Sequence, residues 1–161
     1  MRAVGKVGTA IGLVSAVCLV STLAGITARP ARAAAPRGRY TIAADTVYDS
    51  KTRLTWERSV PDTPSDLEGA RAHCASAAVA ALGGSGWRLP TGKELLTLVD
   101  YSVAPPGPTI DAAAFPHTPA AFFWSASSLS RPVPGVMFVD FAYGHGTNYP
   151  VGPTSYVRCV R

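Results

Sequence analysis

Three histidines are the first candidates for chemistry in this 161-residue chain, because an imidazole can bind zinc or transfer a proton. His73, His117 and His145 are scattered, and none belongs to a His-Glu-x-x-His motif or to a paired Cys/His spacing. Protein zinc sites are usually built from such spaced pairs. The pattern therefore predicts separate surface histidines and no zinc cofactor.

Carboxylates are the second group that could hold a metal. Asp100, Asp111 and Asp140 could meet in the folded chain, but calcium takes roughly six to eight oxygen ligands, and three dispersed carboxylates supply only part of that set. Hydrogen bonding in loops or at strand edges is the favoured role for these side chains. We predict no metal cofactor.

Nucleophile and phosphate-loop motifs are incomplete. Ser125 and Asp140 could join a histidine in a triad, but no Gly-x-Ser-x-Gly elbow is present. The segment Thr91-Gly92-Lys93-Glu94 resembles a phosphate loop, yet Trp87 replaces its first glycine and Glu94 replaces its final hydroxyl residue. The sequence thus predicts no enzyme activity.

The segment from Tyr143 to Tyr149 is the best candidate for binding. Its two tyrosines offer flat apolar rings with hydroxyls, which suit glycan stacking or protein contact. His145 and Asn148 add polar groups, Arg131 lies in a neighbouring loop, and loops often carry function. The alternative is a solvated hairpin that closes the sheet and binds nothing.

The first 33 residues are typical of a secretory signal. Arg2 and Lys6 precede an uncharged stretch from Val7 to Ile26, and Ala31-Arg32-Ala33 supplies small residues for cleavage after Ala33. A retained membrane anchor is the alternative, because 20 uncharged residues could just span a bilayer. Cleavage would give an exported protein, secreted or held in the cell envelope.

Cleavage would also remove the excess of positive charge. Four of the 15 basic residues and none of the 10 acidic ones lie in this segment, which leaves 11 against 10 and a net charge of +1. A nucleic-acid-binding protein is expected to keep a basic face. We predict no nucleic-acid partner, and no membrane insertion after cleavage.

Cys74 and Cys159 are the only cysteines outside the signal segment. An exported chain meets an oxidising environment, so two cysteines predict one structural disulfide. That bond would join a mid-chain helix to the last strand and would leave no thiol for redox chemistry.

Two helices are expected to position these residues. Apolar residues recur at spacings of three and four from about residue 64 to residue 82, and Thr63 or Ser65 can cap this first helix. Thr91 with Glu94 forms a capping box that begins a second, short helix.

Aromatic and β-branched residues predict a small, mostly antiparallel sheet on which the helices pack. The fourth predicted strand is apolar on both faces and should be central. The order strand, helix, helix, several strands predicts an α+β domain at residues 47–161, after a lead-in at residues 34–46. The predicted strands are Tyr40–Ala44, Arg53–Glu57, Phe122–Ser125, Val136–Phe141 and Tyr156–Val160.

Three tryptophans and one arginine complete the structural predictions. Trp56, Trp87 and Trp124 are expected to pack in the core, because an aromatic ring is the largest apolar group available. Arg88 is expected to anchor a carboxylate such as Asp140 or Asp100.

Separated motifs in matching order resemble the Lcl C-terminal domain family over about Val47 to Arg161. This resemblance implies a C-type-lectin-like fold, in which a disulfide joins the first helix to the final strand, and adhesion to glycans. The calcium-binding loops of lectins with this fold (Glu-Pro-Asn or Gln-Pro-Asp, then Trp-Asn-Asp) do not occur here. The motifs that carry the resemblance are residues 49–56, 86–95, 110–116, 123–125, 138–141 and 156–161.

The functional prediction is an exported, noncatalytic module that binds a glycan or a protein outside the cell. One alternative is an enzyme or enzyme accessory, because Trp-Arg-Leu-Pro-Thr at residues 87–91 also resembles formylglycine-generating and sulfatase-modifying domains. The other alternative is a purely structural envelope protein.

The signal pattern predicts a mature amino terminus close to Ala34, because Ala31-Arg32-Ala33 directs cleavage. Intact-mass measurement of the exported protein should give a terminus within about two residues of that position. A species that retains Val7 to Ile26 and fractionates with membranes would contradict the prediction.

Overall fold

The computed structural model of this chain describes residues 1, 5, 36, 38–129, 135–149 and 154–161, without the side chains of Leu129 and Tyr149. The predicted signal segment, Met1 and Gly5 excepted, lies outside the described residues. All the elements given below lie in the unit formed by residues 31–161. In the described part of the chain, no helix is both long and apolar enough to cross a membrane.

The first sheet has three short antiparallel strands in the order β1-β2-β3. They are β1 (Tyr40–Ile42), β2 (Thr46–Asp49) and β3 (Leu54–Glu57). Val47 of β2 pairs with Trp56 of β3, and both side chains are buried. The sequence predicted β1 and β3 but missed β2, in which buried Val47 and Asp49 alternate with exposed Tyr48.

The predicted first helix is interrupted. It consists of α1 (Leu67–Cys74) and α2 (Ala77–Ala80) instead of one helix over residues 64–82. Ser76 has an extended backbone with ψ 157°, and its hydroxyl accepts a hydrogen bond from the Val79 amide. A serine that caps a new helix cannot continue the previous one, so the apolar spacing overestimated the length of the helix.

The start of α1 also differs from the sequence prediction. Asp66 caps the helix by accepting from the Gly69 amide at 2.7 Å, in place of Thr63 or Ser65. Ser65 is engaged elsewhere, because its backbone exchanges two hydrogen bonds with Ser155. A long-range backbone pairing therefore overrides the local capping signal.

Helix α3 (Gly92–Leu96) confirms the predicted capping box. The Thr91 hydroxyl accepts from the Glu94 amide, and the Glu94 carboxylate accepts from the Thr91 amide at 2.7 Å. Two amides at the helix start are thus satisfied by local partners. Leu95, in the middle of α3, is completely buried.

The second sheet is also antiparallel, in the order β4-β5-β6. Its strands are β4 (Phe122–Leu129), β5 (Gly135–Asp140) and β6 (His145–Tyr149). Strand β5 is central, as its apolar pattern predicted. The paired residues Phe123 and Val139 enter one apolar cluster with residues of the first sheet and α3, whereas Trp124 and Phe138 enter a second cluster with residues of α1 and α2.

The closing segment, defined here as residues 155–161, is not the regular strand that the sequence predicted. Its backbone changes partners along its length: Tyr156 bonds to β4, whereas Cys159 and Arg161 bond to β3. Val160 also exchanges two hydrogen bonds with Arg88. The chain therefore has two small sheets joined by this segment instead of one continuous sheet, and the α+β class is confirmed.

The predicted disulfide between Cys74 and Cys159 is confirmed. Both cysteines are buried, at 2% and 0% exposure, and the bond joins α1 to the closing segment. Buried sulfurs in a disulfide are typical of a structural role, because a reductant cannot reach them without opening the domain.

Replacement of both cysteines by alanine should lower the melting temperature strongly. The cysteines are 85 residues apart, and the chain-entropy treatment gives about 4 to 5 kcal/mol for closing such a loop, as an upper value. Thermal melting of Cys74→Ala/Cys159→Ala beside the wild type measures the loss, with peptide mapping without reduction as the control. A variant that melts like the wild type would contradict a structural role.

Candidate functional site

The residues predicted to bind a ligand lie on and beside the β5–β6 connection. Tyr143 is 60% exposed in the turn, and its ring centre is 6.2 Å from that of His145 at the start of β6. Asn148 is exposed further along β6, and strand alternation places it on the opposite face from His145. Tyr149 pairs with Val136 through its backbone, but its side chain, like the whole of Arg131, lies outside the described residues.

The structure therefore brings Tyr143 and His145 together. We call residues 143–145 the aromatic turn. Gly144, at its centre, has a positive φ of 73°, and a Cβ there would lie 3.0 Å from Val99 and 3.3 Å from the Thr109 hydroxyl. Glycine is needed for both the backbone conformation and the close packing.

The aromatic turn is fixed from two sides. The Gly144 amide donates to the Asp140 carbonyl, and the Ala142 amide donates to the Asp140 carboxylate, both at 2.8 Å. The neighbouring loop adds bonds from the Gly107 amide to the Ala142 carbonyl and from the Thr109 amide to the Phe141 carbonyl, both at 2.7 Å. The turn thus presents its rings from a well-bonded backbone.

The three aspartates considered for calcium carry loop hydrogen bonds. Asp100, Asp111 and Asp140 each accept from a backbone amide two residues further along the chain, the pattern of an Asx turn. They are not among the residues whose ligand atoms cluster in the described part of the chain. The only group of three such residues found there is Glu57, His73 and Cys159.

This cluster is an internal brace beside the disulfide. His73 Nε2 lies 2.9 Å from Glu57 Oε1, and Glu57 Oε2 accepts from the Cys159 amide at 3.1 Å. The Cys159 sulfur is already bonded to Cys74, and both oxygens of the Glu57 carboxylate already have partners. The arrangement therefore suits a structural ion pair better than a metal site.

His73 differs from the isolated surface histidine that the sequence predicted. The hydrogen bond to Glu57 raises the pKa of His73 above its ordinary value of 6.5, although partial burial opposes the shift. Sequence reasoning missed the pair because its members belong to β3 and α1. The only sign of this pair in the sequence was a charged residue, Glu57, at the end of a predicted strand.

Arg88 anchors a carboxylate as predicted, but the partner is Glu94 and not Asp100 or Asp140. The guanidinium makes two parallel bonds to Glu94, of 2.8 and 2.9 Å. These bonds lower the pKa of Glu94 to about 2. Because Glu94 also completes the capping box, the pair fixes α3 against the segment before it.

The remaining predicted groups have structural roles. Ser125 is buried, and its hydroxyl donates to the Met137 carbonyl at 2.6 Å, so this oxygen is committed to the sheet. Trp56 and Trp124 are completely buried, as predicted, and Trp87 packs at the margin of the second apolar cluster. Neither tryptophan in the core can contact a ligand at the surface.

Fold and site together define a disulfide-braced α+β domain whose described ion pairs link segments of the fold and whose aromatic turn is exposed. The sequence profile of the Lcl C-terminal domain matches residues 45–161. The chain therefore belongs to the Lcl C-terminal domain family, as its motifs indicated. No curated protein matches the chain.

The pair formed by His73 and Glu57 should make stability depend on pH. Because the pKa of His73 is raised in the folded state, the stabilisation is complete below about pH 6.5 and is lost as the pH rises through the folded-state pKa. His73→Gln should cost about 1 kcal/mol at pH 5.5 and less at pH 8.5. Urea unfolding at both pH values measures this difference.

His145→Gln is the matched control, because it removes an exposed histidine that has no carboxylate partner among the described residues. It should change stability equally little at both pH values. A loss for His73→Gln that is the same at pH 5.5 and pH 8.5 would contradict the ion pair.

Proposed function

We propose that this protein is an exported, noncatalytic module that binds a glycan through the aromatic turn. The observation that carries the proposal is the exposed ring of Tyr143 on a turn whose backbone is fixed by hydrogen bonds. A ring carried by a backbone that is ordered before binding costs less conformational entropy when a ligand covers it. Such a position is better suited to recognition than a ring on a loose loop.

The row of residues across the second sheet extends this surface. Phe122, Asp140 and His145 occupy paired positions in β4, β5 and β6, so their side chains share one face at the end of the sheet. Phe122 is 36% exposed and His145 is exposed, while Asp140 is buried between them. Tyr143 and this row supply apolar ring surface with a polar margin.

A glycan suits this surface better than a protein does. Stable protein interfaces cover roughly 800 Å² on each partner and have an apolar core. The exposed large apolar side chains are few in the described part of the chain, and two of them, Ile42 and Tyr48, belong to the first sheet and not to the aromatic turn. The exposed set consists of Met1, Ile42, Tyr48, Tyr101, Phe122 and Tyr143. A sugar needs only one ring for its C–H face and polar groups beside it.

Export is supported by two independent features. The first 33 residues have the pattern of a secretory signal. The disulfide between Cys74 and Cys159 fits an oxidising compartment, such as the periplasm or the cell exterior. The same disulfide argues against cysteine chemistry of the formylglycine-generating type, because both thiols are used.

The test is a screen of purified protein on an array of neutral, acidic and sulfated oligosaccharides. Tyr143→Ala should weaken binding to any positive glycan by about tenfold, which corresponds to about 1.4 kcal/mol, and should leave the melting temperature nearly unchanged. Tyr48→Ala is the matched control, because Tyr48 is an exposed tyrosine in the first sheet. It should bind like the wild type.

Two results would contradict the proposal. One is equal glycan binding by the wild type and Tyr143→Ala. The other is no binding to any glycan together with tight, Tyr143-dependent binding to an extracellular protein, which would favour protein recognition at the same turn.

A further inference from the structure

A cleft of about 300 Å³ lies between the segment that follows β3 and the segment at residues 116–119. None of its lining residues belongs to the aromatic turn. Its rim is polar and exposed, and its floor is apolar and half-buried. The rim residues are Ser59, Asp62 and His117, and the floor residues are Val60, Pro61, Pro116, Pro119 and Tyr156. We call this site the proline cleft.

One buried arginine holds both walls of the proline cleft. Arg158 donates through Nη1 to the carbonyls of Glu57 and Arg58, each at 2.6 Å, immediately before the first wall. Its Nη2 donates at 2.8 Å to the hydroxyl of Thr118, which lies within the second wall. Tyr156, two residues before Arg158, belongs to the floor. Arg158 thus holds the two walls of the cleft to one another.

Within the part of the chain that the structure describes, the polar groups of the rim have no hydrogen-bond partner. No hydrogen bond or ion pair between described residues involves the side-chain oxygens of Ser59, Asp62 or Tyr156, or the ring nitrogens of His117. His117 also has a positive φ of 55°, a conformation that is uncommon for a residue with a side chain. Such backbone positions are concentrated at functional sites.

The rim contains the residue types of a hydrolytic triad but not its geometry. A nucleophile needs a base within hydrogen-bond distance, and the base needs an orienting carboxylate. No such bond joins Ser59, His117 and Asp62 among the described residues. The free groups are therefore suited to binding and not to activating a hydroxyl.

The lining of the proline cleft also favours one class of small ligand over another. A sugar in a cleft must exchange many water contacts for fixed polar partners, and this floor of proline, valine and tyrosine offers few. A planar aromatic ring gains from the same floor, because pyrrolidine C–H groups pack against the negative face of a π system. A volume of about 300 Å³ is at the small end of ligand pockets, which suits a single ring.

We propose that the proline cleft binds an aromatic ring that carries a hydrogen-bond donor, such as a phenol. The ring packs on Pro61, Pro116 and Pro119, and its donor bonds to the carboxylate of Asp62. This site is separate from the aromatic turn and does not depend on glycan binding there.

The test follows amide NMR shifts of isotope-labelled, oxidised protein during titration with p-cresol. Shifts are expected at Ser59, Val60, Asp62, His117 and Thr118, with an affinity in the millimolar range that is usual for so small a ligand. The probe 4-methylanisole, the methyl ether of p-cresol, has no donor and should bind roughly fivefold more weakly. Methyl glucoside should cause no shifts at these amides.

Two variants test whether the carboxylate of Asp62 accepts the hydrogen bond from the ligand. Asp62→Ala should weaken p-cresol binding to the level of 4-methylanisole, because the acceptor is lost. Glu68→Ala, which removes an exposed carboxylate of α1, is the matched control and should keep the fivefold preference. Both side chains are exposed, so the fold should survive either change.

Titration with N-acetyl-tyrosinamide, which represents a tyrosine within a peptide, tests where the bound ring comes from. Tighter binding than that of p-cresol would assign the cleft to a tyrosine side chain of a peptide, and weaker binding would assign it to a free phenol. The proposal is overturned if p-cresol leaves the five amides unshifted, if methyl glucoside shifts them more than p-cresol does, or if p-cresol and 4-methylanisole bind the wild type equally.

Discussion

The closing segment is the constraint on which the rest of the domain depends. Within seven residues, its backbone pairs with β4, with β3 and with Arg88, and Cys159 is bonded to α1. Val157 and Cys159 enter the apolar cluster around α1 and α2, while Val160 enters the cluster around the first sheet and α3. This shared segment therefore links the two sheets and the helices into one packed unit.

Arg158 is the charged side chain that is buried in that segment. It is completely buried, and burial lowers its pKa to about 10, so it stays charged at neutral pH. Three oxygens accept from its guanidinium, which lies 4.7 Å from the centre of the Phe115 ring. Among the described residues it has no ion-pair partner, and its Nε has no hydrogen-bond partner. A buried charge costs desolvation free energy, and the three hydrogen bonds of Arg158 offset part of that cost. The same bonds position residues 57–58 and 118, the supports of the proline cleft.

The polar side chains fall into two groups with different consequences for function. Arg39 with Asp49, Arg88 with Glu94, and His73 with Glu57 are bonded to each other and connect elements of the fold. The aromatic turn and the rim of the proline cleft present exposed polar groups. Among the described residues, no hydrogen bond at either place joins a nucleophile to a base.

The sequence by itself determined features that depend on neighbouring residues or on how many residues of one type are present. The capping box of Thr91 and Glu94 spans four residues, the double-sided apolar pattern of β5 marks a covered strand, and two cysteines outside the predicted signal segment permit one pairing. The sequence could not show that Ser76 begins a second helix, because the apolar spacing continues across the break. Tertiary structure alone decided that Glu57 meets His73 and that Arg158 joins residues 58 and 118, some 100 and 40 positions away. Such contacts depend on how elements pack, and packing is set by the whole set of buried side chains and not by any one segment.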